Sequence, residues 1–329
     1  MTDRANRLEA PHRRLQPGSR IFEAGVVAGY KAFAWVVSHL PPAIPRVILA
    51  RGAQLSYLLW PTKRHWSNAN FGHVLGLSPG HPRVRAAALR AYGGYGRYLV
   101  ELARLPKLAA EHADELVTGA DLDGIHRIWE ESNGGLIFSL GHVGNAEAAA
   151  AGVASRGWPI NVVADDSSFP GLFEEFRRTR EQWGVHVIPW RNLREIYTIL
   201  RRREMLALLV DWGYRNDGIP VKLFDAWTTL PAGAATLAAK TNSRILPITL
   251  HRNSDGRTFS ITWAEPIEVI ASDPASLQRA TQAMADGLAA SIGPAPDQWY
   301  SFKPIWPLDP AESDELAARA ARMLAGEPG

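Results

Sequence analysis

Chemistry in this chain is most legible in one run, Gly135–Ala151, which reads GGLIFSLGHVGNAEAAA. An apolar stretch with the pattern of a strand leads into Gly141-His142-Val143-Gly144, and Asn145 then opens an alanine-rich helical stretch. Asn145 is a preferred helix N-cap type. Glu147 falls in the first helical turn, where a carboxylate is favoured. His142 stands at the carboxyl end of the strand, where α/β sheets present their ligands. His142 and Glu147 are five residues apart, about 140° apart on a continuous helix and on different faces. Across a strand–loop–helix turn the chain reverses, and the two side chains can meet. A carboxylate on one imidazole nitrogen fixes the tautomer and supports a developing imidazolium. The other nitrogen can then take a proton from a substrate hydroxyl. Gly144 and its neighbour glycine allow close backbone approach, and the amides at the helix start offer an oxyanion or phosphate site. The competing reading is a satisfied structural His–Glu pair beside a turn.

Other patterns fail on chemistry. Gly76-Leu77-Ser78-Pro79-Gly80 matches the spacing of a hydrolase nucleophile elbow. Such an elbow uses the amide of the residue after the serine for its oxyanion hole. Here that residue is Pro79, which has no N–H, so Ser78 reads as part of a turn. No dinucleotide-binding glycine fingerprint and no phosphate-binding P-loop occurs. The 10 histidines show no ligand spacing, so no metal site is expected. Asp165-Asp166 reads as a solvated loop, and Arg201-Arg202-Arg203 as the complement of a helix C-terminus.

The elements that must position His142 follow from periodicity. From about Glu115, short apolar runs alternate with helical stretches: strands at 135–140, 160–164, 185–189 and 205–210, with helices at 145–156, 171–183 and 194–203 between them. Later come a strand at 218–224, a helix at 232–240, strands at 244–250 and 258–263, and helices at 276–290 and 312–325. This alternation predicts an α/β fold with a central mixed, partly parallel sheet flanked by helices. Ahead of it lies a helical N-terminal section, including 82–104 with Pro106 just past its end. The expected organisation is a flexible leader over 1–20, a helical section over 21–112 and an α/β domain over 113–329.

Composition limits the function classes. The chain has 329 residues, 46% hydrophobic and 21% charged, which excludes disorder and an ordinary polytopic membrane protein. Its net charge of +3 is too small to argue for nucleic acid. There is no cysteine, so disulfides, thiol nucleophiles and Fe–S clusters are excluded. The 12 tryptophans suit cores, interfaces and membrane surfaces alike. Residues 21–40, IFEAGVVAGYKAFAWVVSHL, have the length of a membrane span but carry Glu23, Lys31 and His39. They read as a helix in the membrane interface, anchored by Tyr30, Phe33 and Trp35, or as an amphipathic helix packed on its own domain.

Six blocks in order give the chain a resemblance to the bacterial lipid A acyltransferase superfamily, with the phosphatidylinositol mannoside branch the nearest likeness. The run from Gly141 to Glu147 resembles the family's histidine–acid block. Tyr95-Gly96-Arg97-Tyr98 with Glu101 and Arg104-Leu105-Pro106 is similar to its preceding helix. Thr179–Gly184, Leu209-Val210-Asp211, Leu230–Ala235 and Asp297-Gln298-Trp299-Tyr300 match later blocks. The sequence departs from the pattern at Ala146, where the family has an aromatic residue, and at Leu223-Phe224-Asp225. The resemblance implies a glycerolipid-acyltransferase-like fold and transfer of a fatty acyl group from a thioester, acyl-CoA or acyl carrier protein, to a hydroxyl of a membrane glycolipid. His142 becomes the general base and Glu147 its orienter. Gly144, Asn145, Arg180 and Asp211 become supporting or substrate-binding residues. No bound cofactor or metal is implied. The expected location is peripheral, on the cytoplasmic face of the inner membrane. A non-catalytic lipid-binding factor of the same fold and a thioester hydrolase are the alternatives.

Overall fold

The computed structural model describes residues 17–118, 121–166 and 169–327. Four helices come first: α1 (Pro17–His39), α2 (Ala43–Leu59), α3 (Pro61–Leu75) and α4 (Pro82–His112). Most of the leader expected over 1–20 lies outside the described residues, and α1 already begins at Pro17. Prolines at 61 and 82 start α3 and α4, the position where a missing N–H costs nothing. Gly76 ends α3 with φ +61°, and Ser78 lies in the turn that follows. The long α4 packs closely on α2, and a Cβ at Gly96 would collide with the backbone of Leu49 and Ala50. Pro106 was expected beyond the end of α4 and instead sits inside it. Packing overrides the local penalty: Val100 and Ala103 bury against Val37 of α1, and Leu105 joins the core around Ala148. Arg104 also donates to the carbonyls of Val37 and Leu40 at 2.8 and 2.9 Å, closing the C-terminus of α1.

The α/β part then runs β1 (Val117–Thr118), α5 (Leu122–Glu131), β2 (Leu136–Leu140), α6 (Ala146–Ala154), β3 (Ile160–Ala164), α7 (Pro170–Glu181), β4 (His186–Pro189), α8 (Leu193–Arg201) and β5 (Met205–Leu209). It continues with β6 (Ile219–Leu223), β7 (Ala226–Leu230), α9 (Gly233–Thr241), β8 (Arg244–Arg252), β9 (Phe259–Trp263), α10 (Pro274–Ile292) and α11 (Pro310–Leu324). Seven strands form one sheet in the order β1-β9-β8-β2-β5-β3-β4. Its pairs are parallel except β8–β9. The sheet is therefore more fully parallel than expected. β6 and β7 form a separate antiparallel hairpin that turns at Phe224, with φ +54°.

All five residues of β2 are buried, because helices cover both faces of a parallel strand. One face packs against α6, with Leu136, Phe138 and Leu140 meeting Ala149 and Val153. The other packs Ile137 against Ile199, Ala235 and Met284. α3, α5, β1 and β7 were not anticipated. β1 has only two residues, and α3 buries Ser67, Asn70 and Phe71 among polar neighbours, so its apolar stripe is weak.

Candidate active site

Parallel pairing places the site. β2 and β5 are neighbours, with Leu140 opposite Leu209. Two residues further along each strand stand His142 and Asp211, side by side in the crevice beyond the carboxyl ends. His142 Nδ1 lies 2.6 Å from Asp211 Oδ1, and the His142 backbone N–H donates to Asp211 Oδ2 at 2.9 Å. Trp299 Nε1 donates to the same Oδ2 at 2.8 Å. The Asp211 side chain is fully buried, and Trp299 covers it. An ionised, hydrogen-bonded Asp211 makes Nδ1 the protonated nitrogen and leaves Nε2 with a lone pair.

The loop carrying His142 is fixed from behind. Its carbonyl accepts from Tyr300 N at 2.8 Å, and Gly144 N donates to Gln298 O at 3.0 Å. Gly144 has φ +63°, and a Cβ there would meet the Leu250 carbonyl, so both conformation and space demand glycine. At Gly141 an added Cβ would lie 2.6 Å from Leu288 Cδ1 and 3.2 Å from Asp211 Oδ2, a closeness that Leu288 would have to relieve by moving.

Asn145 caps α6 as its type predicted: Oδ1 accepts from Ala148 N at 3.1 Å. Its amide donates to Glu101 Oε2 on α4, and Glu101 in turn holds Arg252 through two 2.8 Å bonds. The helical section is thereby tied to the start of α6.

Glu147 does not hold His142. It forms a two-pronged ion pair with Arg180 of α7, at 2.7 and 2.5 Å, with both side chains largely buried. The expected His142–Glu147 contact is replaced because the register of β2 and β5 already gives the imidazole a carboxylate. The first turn of α6 carries Glu147 toward α7 instead. The Arg180 guanidinium also lies over the Phe176 ring, 5.3 Å from its centroid.

Electrostatics follow the contacts. Burial works against an imidazolium at His142, but the charge and hydrogen bond of Asp211 outweigh it. His142 therefore titrates above the ordinary histidine value of 6.5. Burial likewise works against the Asp211 carboxylate, and His142, the backbone N–H and Trp299 together hold it below the usual carboxylate range.

Three cavities meet here. The first, about 330 Å³, holds His142, with Tyr95, Tyr98, Tyr300 and Phe302 on its walls. The second, about 280 Å³, runs between α6 and the sheet and is mostly apolar, lined by Phe138, Leu140, Ala150, Val153, Trp158 and Leu209, with Glu147, Asp165 and Arg180 as its charged residues. Glu147 and Ala146 border both. Alanines along α6 leave this space open where longer side chains would fill it. The third, about 1230 Å³, is a cleft walled by Trp66, Trp190, Trp212 and Trp306. Trp212 presents its ring to His142, edge to face at 5.9 Å. No local pattern marks Lys63, Trp212 or Lys303 for this site, because they come together only through tertiary contacts.

A buried histidine–aspartate pair in the crevice of a mostly parallel sheet, in a cavity that adjoins an apolar one, is an arrangement that can present a base beside an apolar chain. The sequence model of the bacterial lipid A biosynthesis acyltransferase family matches residues 16–307, and the chain belongs to that family. It is an acyltransferase. It is 26% identical over 314 residues to the phosphatidylinositol mannoside acyltransferase of Mycolicibacterium smegmatis (strain ATCC 700084 / mc(2)155), covering 93% of this chain and 97% of that protein. It is 27% identical over 263 residues to the phosphatidylinositol mannoside acyltransferase of Mycobacterium tuberculosis (strain ATCC 25618 / H37Rv), covering 76% and 79%.

Proposed function

We propose that this acyltransferase moves a fatty acyl group from a thioester donor, acyl-CoA or acyl carrier protein, to a hydroxyl of a phosphatidylinositol mannoside-type glycolipid at a membrane surface. The observation that carries this reading is the His142–Asp211 pair in a cavity that adjoins the apolar one across Ala146, Glu147 and Leu209. His142 Nε2 takes the proton of the acceptor hydroxyl, and the hydroxyl oxygen attacks the thioester carbonyl. Asp211 holds the tautomer and stabilises the imidazolium. The tetrahedral oxyanion faces the first turn of α6, whose leading amides have no carbonyl partner within the helix. Collapse expels the thiolate, which takes the proton from His142 and leaves as the free thiol. The acyl chain lies between α6 and the sheet. The Glu147–Arg180 pair closes the polar end of that cavity and acts by positioning.

Membrane contact in this reading extends beyond α1. That helix has a segment, Ile21–His39, with mean hydropathy 1.3 and only 6% of it buried. Glu23 accepts from Gly171 N at 2.5 Å and Lys31 pairs with Glu175 at 2.9 Å, so α1 is fastened along α7. A spanning helix would have to drag α7 into the hydrocarbon, which favours α1 lying in the interface. α2 also exposes Val47, Ile48, Leu55, Leu58 and Leu59.

The test is incubation of purified protein with labelled acyl-CoA and, in parallel, with the labelled acyl group on acyl carrier protein, each with and without phosphatidylinositol mannoside. Labelled acyl-glycolipid is the expected product. Free fatty acid alone identifies a thioester hydrolase, and no turnover identifies a binding factor; either outcome overturns the proposal.

A further inference from the structure

Lys63 and Lys303 stand out once the catalytic pair is accounted for. Both border the His142 cavity and the large tryptophan-walled cleft beside it. Among the described residues neither ammonium has a carboxylate partner. Each is instead held on indole faces: Lys63 Nζ lies 4.8 Å from the Trp66 ring centroid and 5.8 Å from Trp60, and Lys303 Nζ lies 5.2 Å from Trp212. An aromatic face orients a cation without neutralising it.

The two lysines also share one rigid support. Asn70, two turns beyond Lys63 on α3 and fully buried, donates to the carbonyls of Ser301 and Lys303 at 3.2 and 2.7 Å. It also accepts from Ile305 N at 3.1 Å. The segment carrying Lys303 is therefore pinned to the helix carrying Lys63. The Lys303 charge is felt at His142, where it opposes the imidazolium. Carboxylates line both cavities: Glu147 and Asp211 are held by Arg180 and His142, and Asp165, Asp309 and Glu312 stand on the cleft wall with, among the described residues, no ion pair to either lysine.

Two uncompensated cations fixed at a shared rim are a site waiting for an anion. We propose that Lys63 and Lys303 bind a phosphate group of a substrate at the junction of the two cavities, fixing how far its reacting end lies from His142. This assignment rests on the acyl-transfer reading. Two substrates carry such a group: the donor through its nucleotide and pantetheine phosphates, and the acceptor through its inositol phosphodiester.

The test is titration of the intact protein with coenzyme A and, separately, with glycerophosphoinositol, followed by the fluorescence of the nearby tryptophans. Phosphate-free pantetheine and inositol serve as neutral comparisons. At least one phosphorylated ligand is expected to bind, and which one does so identifies the source. Lys63→Met and Lys303→Met should each weaken it about tenfold, the loss of one charge-assisted hydrogen bond. Lys303→Arg should retain most of the binding. Neither phosphorylated ligand binding, or both Met variants binding like the parent, would overturn the proposal. The readout needs no turnover. A protein that binds phosphate here yet transfers no acyl group would therefore overturn the acyl-transfer reading and leave the subsite standing.

Discussion

Asp211 shows how a residue's chemistry is set by its place in a fold. It accepts three hydrogen bonds, two of them from His142, and its charge is what raises the histidine. Only the neutral imidazole can take a proton, so kcat/KM should rise with pH through the His142 pKa. The acidic limb of the pH–rate profile should have its midpoint above the ordinary value of 6.5. Asp211→Asn removes the charge that raises it. The limb should move to lower pH, and the rate on the plateau should fall by up to about 10⁴-fold. A limb that does not move would show that another group titrates. Glu147 makes the complementary case. Sequence spacing made it the natural partner of His142, and it is instead the partner of Arg180. Glu147→Gln leaves a largely buried guanidinium without its counter-charge. It should lower stability by about 1–3 kcal/mol, read by denaturant unfolding. Its loss of activity should be smaller than that of Asp211→Asn at a permissive temperature. A single sequence exposes the types His, Glu and Asp, but which acid reaches the imidazole depends on β2 and β5 being neighbours. Those strands are 69 residues apart in the chain, and local spacing carries no information about their register.

At the scale of elements, α6 does two jobs with one composition. Its first turn, Ala146 and Glu147, borders the His142 cavity, and its alanines leave the apolar cavity beneath it open. Ala150 is half-buried on that cavity's wall. Ala150→Leu adds methylenes where an acyl chain is proposed to lie, so acyl-CoA chain-length profiles should shift toward shorter chains. An unchanged profile would place the chain elsewhere. The strand–helix alternation of the α/β part was readable because parallel strands here are short apolar runs bounded by glycine or helix caps. The Gly141–Asn145 turn was readable for the same reason, since glycine and asparagine have local backbone roles. α3 and the passage of α4 through Pro106 were not. α3 presents a polar sequence whose stability comes from tertiary partners such as Asn70, and α4 is held by its contacts with α1 and α2.

On the scale of the whole molecule, α1 and α2 place an apolar surface on the helical section while His142 sits in the crevice of the sheet. Glu101 and Arg252 bind the two parts through the cap of α6. The proposed transfer, in which a lipid hydroxyl reaches His142, needs such a fixed relation between membrane surface and active site. Val47 and Ile48 are 60% and 59% exposed. Changing both to Glu should shift the protein from vesicles of anionic phospholipid to the soluble fraction, with its melting temperature unchanged. Unaltered partitioning would show that α2 takes no part. The central claim concerns the base. The measurement that bears on it most directly is the single-turnover rate of acyl transfer from acyl-CoA to phosphatidylinositol mannoside by His142→Ala, compared with the parent at equal melting temperature. The account predicts a fall of about 10²–10⁴-fold, the typical contribution of a positioned general base. A folded His142→Ala protein that transfers the acyl group at the parent's rate would contradict it.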